Sequence, residues 1–144
     1  MGFLIDTCIW IDVERGALAP ADVADITGNE PVYLSPVTIA ELKFGAENAP
    51  TADLRQKRLA ALARLKSKPL LVINEITGEI FGDLAAQIKK SGAQHHHRVQ
   101  DLWLASQAIQ PGYRFLTHNR KDFADIPGLS LMVWKEAAKT TTRP

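Results

Sequence analysis

Apolar residues in this chain gather into short unbroken runs rather than alternating with polar ones. Such runs stand at Phe3–Ile5, Val32–Leu34, Leu70–Ile73 and Phe115–Leu116, with a weaker one, LSLMVW, beginning at Leu129. A short continuous run reads as a strand buried on both faces, the condition of strands in a parallel sheet. Between the runs the spacing turns helical. SPVTIAELKFGAEN starts with Ser35 as N-cap and Pro36 at the first helical position. TADLRQKRLAALARLKSK is rich in Ala, Leu, Arg and Lys and sets Leu59, Leu62 and Leu65 on one stripe. TGEIFGDLAAQIKKSG ends on Lys89, Lys90 and Gly92, a C-terminal stop, and VQDLWLASQAIQPG stops at Pro111. Strands alternating with helices predict an α/β fold, a single domain over residues 1–134 with a mainly parallel central sheet flanked by helices. The last stretch, residues 135–144, reads as a loose C-terminal tail.

The first run ends abruptly on Asp6. A carboxylate at the end of a buried strand has two explanations. It caps the turn that follows, with Thr7 helping, or it belongs to a site at the carboxyl edge of the sheet, where open α/β folds place their ligands. Other acidic and amide residues fall at matching places. Glu41 sits a turn and a half into the helix after the second strand, between Ala40 and Leu42. Asp101 lies near the start of the helix that ends at Pro111, and Asn119 and Asp122 follow the strand ending at Thr117. Each has an ordinary role available: a solvated helix face for Glu41, a helix-dipole partner for Asp101, turn residues for Asn119 and Asp122. Taken together they suggest convergence, because a parallel sheet brings strand ends to one edge. Carboxylates held close repel one another unless a cation neutralises them. An all-oxygen set without Cys or His at zinc-like spacing suits Mg²⁺ or Mn²⁺. The chemistry expected of such a centre is hydrolysis of a phosphodiester or another phosphate ester.

Bulk composition narrows the partners. With 144 residues, 46% hydrophobic and 23% charged, the chain has the size and make-up of one soluble globular domain. Its single cysteine, Cys8, excludes an internal disulfide framework and suits a reducing cytoplasm. No apolar run approaches the roughly 20 residues of a membrane span, and Asp6 and Asp12 interrupt any signal-like stretch, so a cytoplasmic location without membrane contact is expected. A net charge of +1 argues against an indiscriminate nucleic-acid binder. The basic residues nevertheless concentrate locally: Arg55, Lys57, Arg58, Arg64, Lys66 and Lys68 form either the soluble face of a helix or a rim guiding a polyanion. Trp10, Trp103 and Trp134 read as core or interface residues.

Four ordered blocks, LIDTCIWID, SPVTIAELKFGAE, QDLWLASQA and FLTHNRKDF, resemble the signature blocks of PIN domains, with the closest likeness to the VapC toxins of bacterial toxin–antitoxin systems. The resemblance runs from Phe3 to about Trp134. It implies a Mg²⁺- or Mn²⁺-dependent endoribonuclease that leaves a 5′-phosphate and a 3′-hydroxyl, is neutralised by a cognate VapB-like antitoxin, and forms a homodimer. It matches Asp6, Glu41 and Asp101 to the family's three acidic positions, with Asp6 and Asp101 as metal ligands. Asn119 falls on the fourth position, where many relatives carry Asp, which lowers the negative charge of the site. Thr117 and Asp122 match supporting positions. The segment AQHHHRVQD departs from the family's usual approach to its third acidic residue. His95, His96 and His97 are adjacent, a spacing that places them in a solvated loop rather than at a metal. His97, Arg98 and Arg120 are the candidates for contact with RNA. Two other readings compete. A non-catalytic RNA-binding PIN domain is opposed by the intact acidic set. A haloacid-dehalogenase-like phosphatase would need a second Asp where Cys8 stands.

Overall fold

Strand β1 (Phe3–Ile5) has neighbours on both sides and organises the sheet. In the computed structural model, which describes residues 1–93 and 98–134, the strand order is β2-β1-β3-β4, with β2 at Val32–Tyr33, β3 at Arg114–Thr117 and β4 at Ser130–Val133. Every pairing is parallel, with Phe3 opposite Val32 and Arg114, and Ile5 opposite Leu116. The fold is therefore a single α/β arrangement with a parallel sheet, as the order of elements predicts. Seven helices accompany it among the described residues: α1 (Thr7–Glu14), α2 (Pro20–Thr27), α3 (Pro36–Glu47), α4 (Ala52–Leu65), α5 (Glu75–Lys90), α6 (Val99–Ile109) and α7 (Arg120–Phe123). The tail at 135–144 and the histidines at 95–97 lie outside the described residues.

The unbroken apolar runs follow from helices on both faces. Side chains alternate across a strand, so Leu4 and Phe115 enter one core with Leu84, Ile88, Leu102 and Leu104. Phe3, Ile5 and Leu116 enter the other with Ile9, Trp10 and Val23. Neither face of β1 meets water, and its three residues are essentially fully buried. The leucine stripe of α4 likewise turns inward, with Leu62 buried and Leu65 packed against the second core.

One expected strand is not formed. Leu70–Ile73 makes only a single parallel bridge, Leu70 to Leu34, flanked by Leu34 N–H to Pro69 (2.8 Å) and Leu71 N–H to Leu34 (2.9 Å). Leu71 packs on the core, but Leu70, Val72 and Ile73 are 50%, 66% and 40% exposed. Its apolar character thus marks a surface rather than a buried strand. Three helices escaped the apolar pattern. Helix α1 begins directly at Thr7, so its first turn merges with the run of β1; α7 has only four residues. Helix α2 starts at Pro20, with the Asp22 carboxylate accepting from Ala19 N–H at 2.9 Å.

A buried polar knot fixes the layers. Gln107 on α6, fully buried, donates from Nε2 to the Leu71 carbonyl (2.7 Å) and accepts from the Ser35 hydroxyl. The same Ser35 oxygen accepts from Val37 N–H at 3.0 Å and caps α3, as its place before Pro36 predicts. Replacing Gln107 with Leu keeps the volume but leaves the Leu71 carbonyl and the Ser35 hydroxyl buried without this partner. The expected loss is about 2–4 kcal/mol of unfolding free energy. Urea denaturation followed by tryptophan fluorescence measures it.

Candidate metal and nuclease site

Asp6 occupies the N-cap position of α1, yet its side chain makes no capping bond to the helix. Its backbone N–H donates to the Leu116 carbonyl (2.8 Å), so the strand ladder continues through it to the sheet edge. The carboxylate is only 6% exposed as a residue and accepts two bonds on Oδ2, from Thr117 Oγ1 at 2.7 Å and from Cys8 Sγ at 3.2 Å. Burial raises the Asp6 carboxyl above the ordinary 3.8, opposed by those two donors, by the Thr7 backbone and by nearby His118. Burial, reinforced by the charge of Asp6, pushes the Cys8 thiol up to about 12. The thiol therefore keeps its proton and serves as a donor rather than a nucleophile.

Glu41, on α3, is half-buried and accepts from Thr7 Oγ1 at 2.9 Å; that hydroxyl also lies 2.9 Å from Thr38 Oγ1. Burial raises its carboxyl, and Asp6 pushes in the same direction. Asp101 stands in the first turn of α6 with its carboxyl pushed up to about 6, chiefly by burial and then by Asp6, Asp122 and Glu41, with Arg98 pulling it back. Residues from the end of β1, where Asp6 caps α1 in position only, and from α3, α6 and α7 thus act electrostatically on one region. Asn119 precedes α7 without a side-chain capping bond; its backbone N–H donates to Thr117 Oγ1 at 3.0 Å. Thr117 is therefore a relay, accepting from Asn119 and donating to Asp6.

The basic candidates have their own surroundings. Arg98 forks onto Asp125 at 2.8 and 2.7 Å and adds a bond to the Asp122 carbonyl at 2.6 Å, tying the start of α6 to α7. Arg120 begins α7 and is exposed. His97, with His95 and His96, is among the residues not described. Among the described residues, no group of three or more His, Cys, Asp or Glu side chains is drawn together tightly enough to enclose an ion. The acidic residues surround a shared region without forming one coordination shell.

Several contributors were not singled out by sequence spacing: Thr7 and Thr38 beside Glu41, Cys8 beside Asp6, and a pair between His118 Nε2 and Asp12 Oδ2 at 3.0 Å. Thr7, Cys8 and Asp12 all lie in the block that opens with Asp6, and His118 lies between Thr117 and Asn119. Proximity to a candidate was the available signal. Beside the acidic region runs a cavity of about 470 Å³ with Trp10, Leu42 and Leu62 among its apolar lining and Glu41, Arg58 and Lys68 among its polar lining. The buried Trp10 Nε1 has no hydrogen-bond partner among the described residues.

The charge crowding has a measurable consequence. Because folding raises the Asp101 carboxyl from 3.8 to about 6, the folded state favours its protonated form. That contribution to stability is full below the ordinary value and is lost as pH rises through about 6. In EDTA at about pH 7.5, Asp101→Asn should be more stable than the parent, on the order of 1–2 kcal/mol after allowance for solvent screening, and the gain should fade toward about pH 4. Thermal melts of both proteins across that range decide the sign.

Comparison with known proteins agrees with the geometry. A family model, the PIN domain, matches residues 3–129. The chain is 32% identical over 137 residues to Ribonuclease VapC1 of Rickettsia felis, covering 92% of this chain and 96% of that protein. The solved structure of VapBC-1 from nontypeable Haemophilus influenzae has a TM-score of 0.77 at 27% identity, covering 94% of this chain and 99% of that one. VapBC-5 of Mycobacterium tuberculosis, a member of the VapBC family of toxin–antitoxin systems, has a TM-score of 0.70 at 27% identity, covering 92% and 96%. With a parallel sheet that presents Asp6, Thr117 and Asn119 at one edge, and with this likeness along nearly its whole length, the chain belongs to the PIN-domain family and, within it, to the VapC type.

Proposed function

We propose that this chain is a toxin acting as a divalent-metal-dependent endoribonuclease, held inactive by a cognate antitoxin. The observation that carries the reading is the buried Asp6 carboxylate, held at the sheet edge without capping α1, while burial, reinforced by Asp6, Asp122 and Glu41, presses the Asp101 carboxyl upward. The ribonuclease activity is named for the Rickettsia felis relative and carried to this chain by that likeness.

The donor set fits Mg²⁺ or Mn²⁺: carboxylate oxygens, partly desolvated and mutually repelling, are relieved by a hard cation. Asp6 and Asp101 would hold it, with Glu41 acting through water. Bound there, the ion supplies activation of water and stabilisation of charge on the phosphate oxygens. The chain's own residues do the rest. Thr117 and Cys8 fix the orientation of Asp6; Thr7 and Thr38 fix that of Glu41; Asn119 orients the fourth corner, and Asp122 adds negative charge behind Asp101. Attack on phosphorus in line leaves a 5′-phosphate and a 3′-hydroxyl. Arg120 and the segment around His97 are the proposed contacts to RNA, and Arg98 acts there by bracing α6 against α7. The nuclease unit is residues 1–134, with 135–144 as a tail. A cytoplasmic site of action is part of this reading; among the described residues no helix is long and apolar enough to cross a membrane.

The antitoxin reading draws on the cavity beside Glu41. An apolar side chain of a partner segment fits against Trp10 and Leu62, and a following Arg or Lys would reach the acidic region, where uncompensated carboxylates attract it. A second copy of the chain is the proposed cover for Leu70, Val72, Ile73 and Ile76, which are between 40% and 66% exposed in one neighbourhood of the sequence.

Two experiments test these statements. Asp6→Asn and Asp101→Asn keep size and hydrogen bonding but remove the charge that retains a cation. Cleavage of a defined RNA with Mg²⁺ or Mn²⁺ should fall on the order of 10²–10³-fold in each, while EDTA abolishes it in the parent. Undiminished, EDTA-sensitive cleavage by folded Asp6→Asn would remove Asp6 from the site, and RNA binding without any cleavage by the parent would favour the non-catalytic reading. Separately, light scattering at tens of micromolar, on the order of 10⁻⁵ M, should report a dimer. Val72→Glu combined with Ile76→Glu should give a monomer with unchanged far-ultraviolet circular dichroism, whereas a monomeric parent refutes the dimer.

A further inference from the structure

His118 and Asp12 form a contact that the proposed chemistry leaves unused. The imidazole Nε2 lies 3.0 Å from Asp12 Oδ2 on α1, and the same ring's Nδ1 lies 3.2 Å from Asn119 Oδ1. Both His118 and Asp12 retain 30% side-chain exposure, so neither is there to fill a core. Asn119 in turn is joined through its backbone N–H and Thr117 Oγ1 to the Asp6 carboxylate. Three residues from two elements thus form a chain, Asp12–His118–Asn119, that ends at the fourth corner of the acidic region.

We infer that Asp12 and His118 are positioning residues that fix the orientation of the Asn119 carboxamide. The inference rests on the ribonuclease reading for its kinetic consequence but not for its geometry. A carboxylate only accepts hydrogen bonds, so Nε2 must carry a proton to meet Asp12. Once the ring is anchored at Nε2, its Nδ1 faces one end of the carboxamide. A protonated Nδ1 complements the amide oxygen, and a bare Nδ1 complements the amide nitrogen. In either state only one end of Asn119 matches, so the side chain cannot turn freely about its last torsion. An Asp at this position presents two equivalent oxygens and needs no such selection. An Asn presents two different ends, and a device that distinguishes them has a purpose. Without the imidazole, Asn119 has no side-chain capping bond to α7 that would replace it.

The test combines kinetics with a readout that needs no metal. His118→Ala and Asp12→Ala should each lower kcat for RNA cleavage on the order of 10–100-fold, with KM moving less than about twofold. Asp12→Asn keeps an oxygen acceptor for Nε2–H and should recover most of the rate that Asp12→Ala loses. The double variant His118→Ala/Asn119→Ala should be no slower than Asn119→Ala alone, since the imidazole acts only through the amide. In metal-free protein, long-range nitrogen NMR should show a protonated His118 Nε2, and the Asn119 side-chain amide signals should shift in His118→Ala and in Asp12→Ala. Multiplying effects in the double variant, an unprotonated Nε2, or single variants that lose thermal stability with unchanged kcat would each overturn the inference. A parent protein that cleaves no RNA would sink the ribonuclease reading instead, and the NMR measurements would still decide the geometry.

Discussion

The hydrogen bond from Thr117 Oγ1 to Asp6 Oδ2 joins residues 111 positions apart and is the contact on which the acidic region depends. It exists because β1 and β3 run parallel and adjacent, with Leu116 pairing to Ile5, so both strands deliver their last residues to one edge. Parallel pairing requires long crossovers, and the chain spends its helices on them. Those helices then bring Glu41, in the second turn of α3, and Asp101, in the first turn of α6, to the same edge. A slip of one residue in β1 would turn Asp6 into the other layer and exchange Leu4 with Phe3 and Ile5 between two cores. Full burial of all three apolar residues makes that slip costly, so core packing and site geometry are one constraint rather than two.

That constraint holds together groups that repel. Asp101 is pushed up by burial and by three other carboxylates, and Glu41 and Asp6 are raised as well. The donors supplied around them are neutral: the hydroxyls of Thr117 and Thr7 and the thiol of Cys8. Neutral donors orient a carboxylate without cancelling its charge, and so leave it available to a cation. An arginine in the same place would satisfy the carboxylates permanently. The arginine that does approach, Arg98, is directed away onto Asp125, from where it only moderates Asp101. Arrangements of this kind lower the stability of the unliganded fold in exchange for function.

Much of this was legible in the chain. Doubly buried strands announce themselves as unbroken apolar runs, and Phe3–Ile5 and Phe115–Leu116 do so because both faces are covered. Ser35 before Pro36 marks the start of α3 because a cap and a fixed φ are local properties. Leu70–Ile73 misled for the reason that strands and exposed apolar patches share composition; only burial separates them. Asp6 was ambiguous because an N-cap and a site residue can occupy the same position, and the direction of its carboxylate settles that it does not cap. The partners of the acidic residues were not legible. Nothing in the spacing of Asp12 and His118 tells that they meet, since that contact is made by the packing of α1 beside the end of β3.

The basic stretch shows how composition and geometry divide the work. Read as a run, Arg55 to Lys68 is a positive surface. In the fold, Arg55 is taken by Glu47 at 2.9 and 3.2 Å, holding that carboxyl down at about 2, and Arg58 donates to the Gly45 carbonyl at 2.9 Å. Lys68 lies 5.4 Å from the centre of the Trp10 ring. Part of the charge therefore braces α4 against α3 and part lines the cavity beside Glu41, where apolar residues and both signs of charge meet. A polyanion is drawn by the sum of exposed charge over distances of about a Debye length, roughly 8–10 Å. A peptide segment is held by contacts within a cavity of this size. On the proposed reading the outer side of this helix would add to long-range attraction and its inner side to short-range recognition, and the two partners would compete only at the acidic region that both must reach.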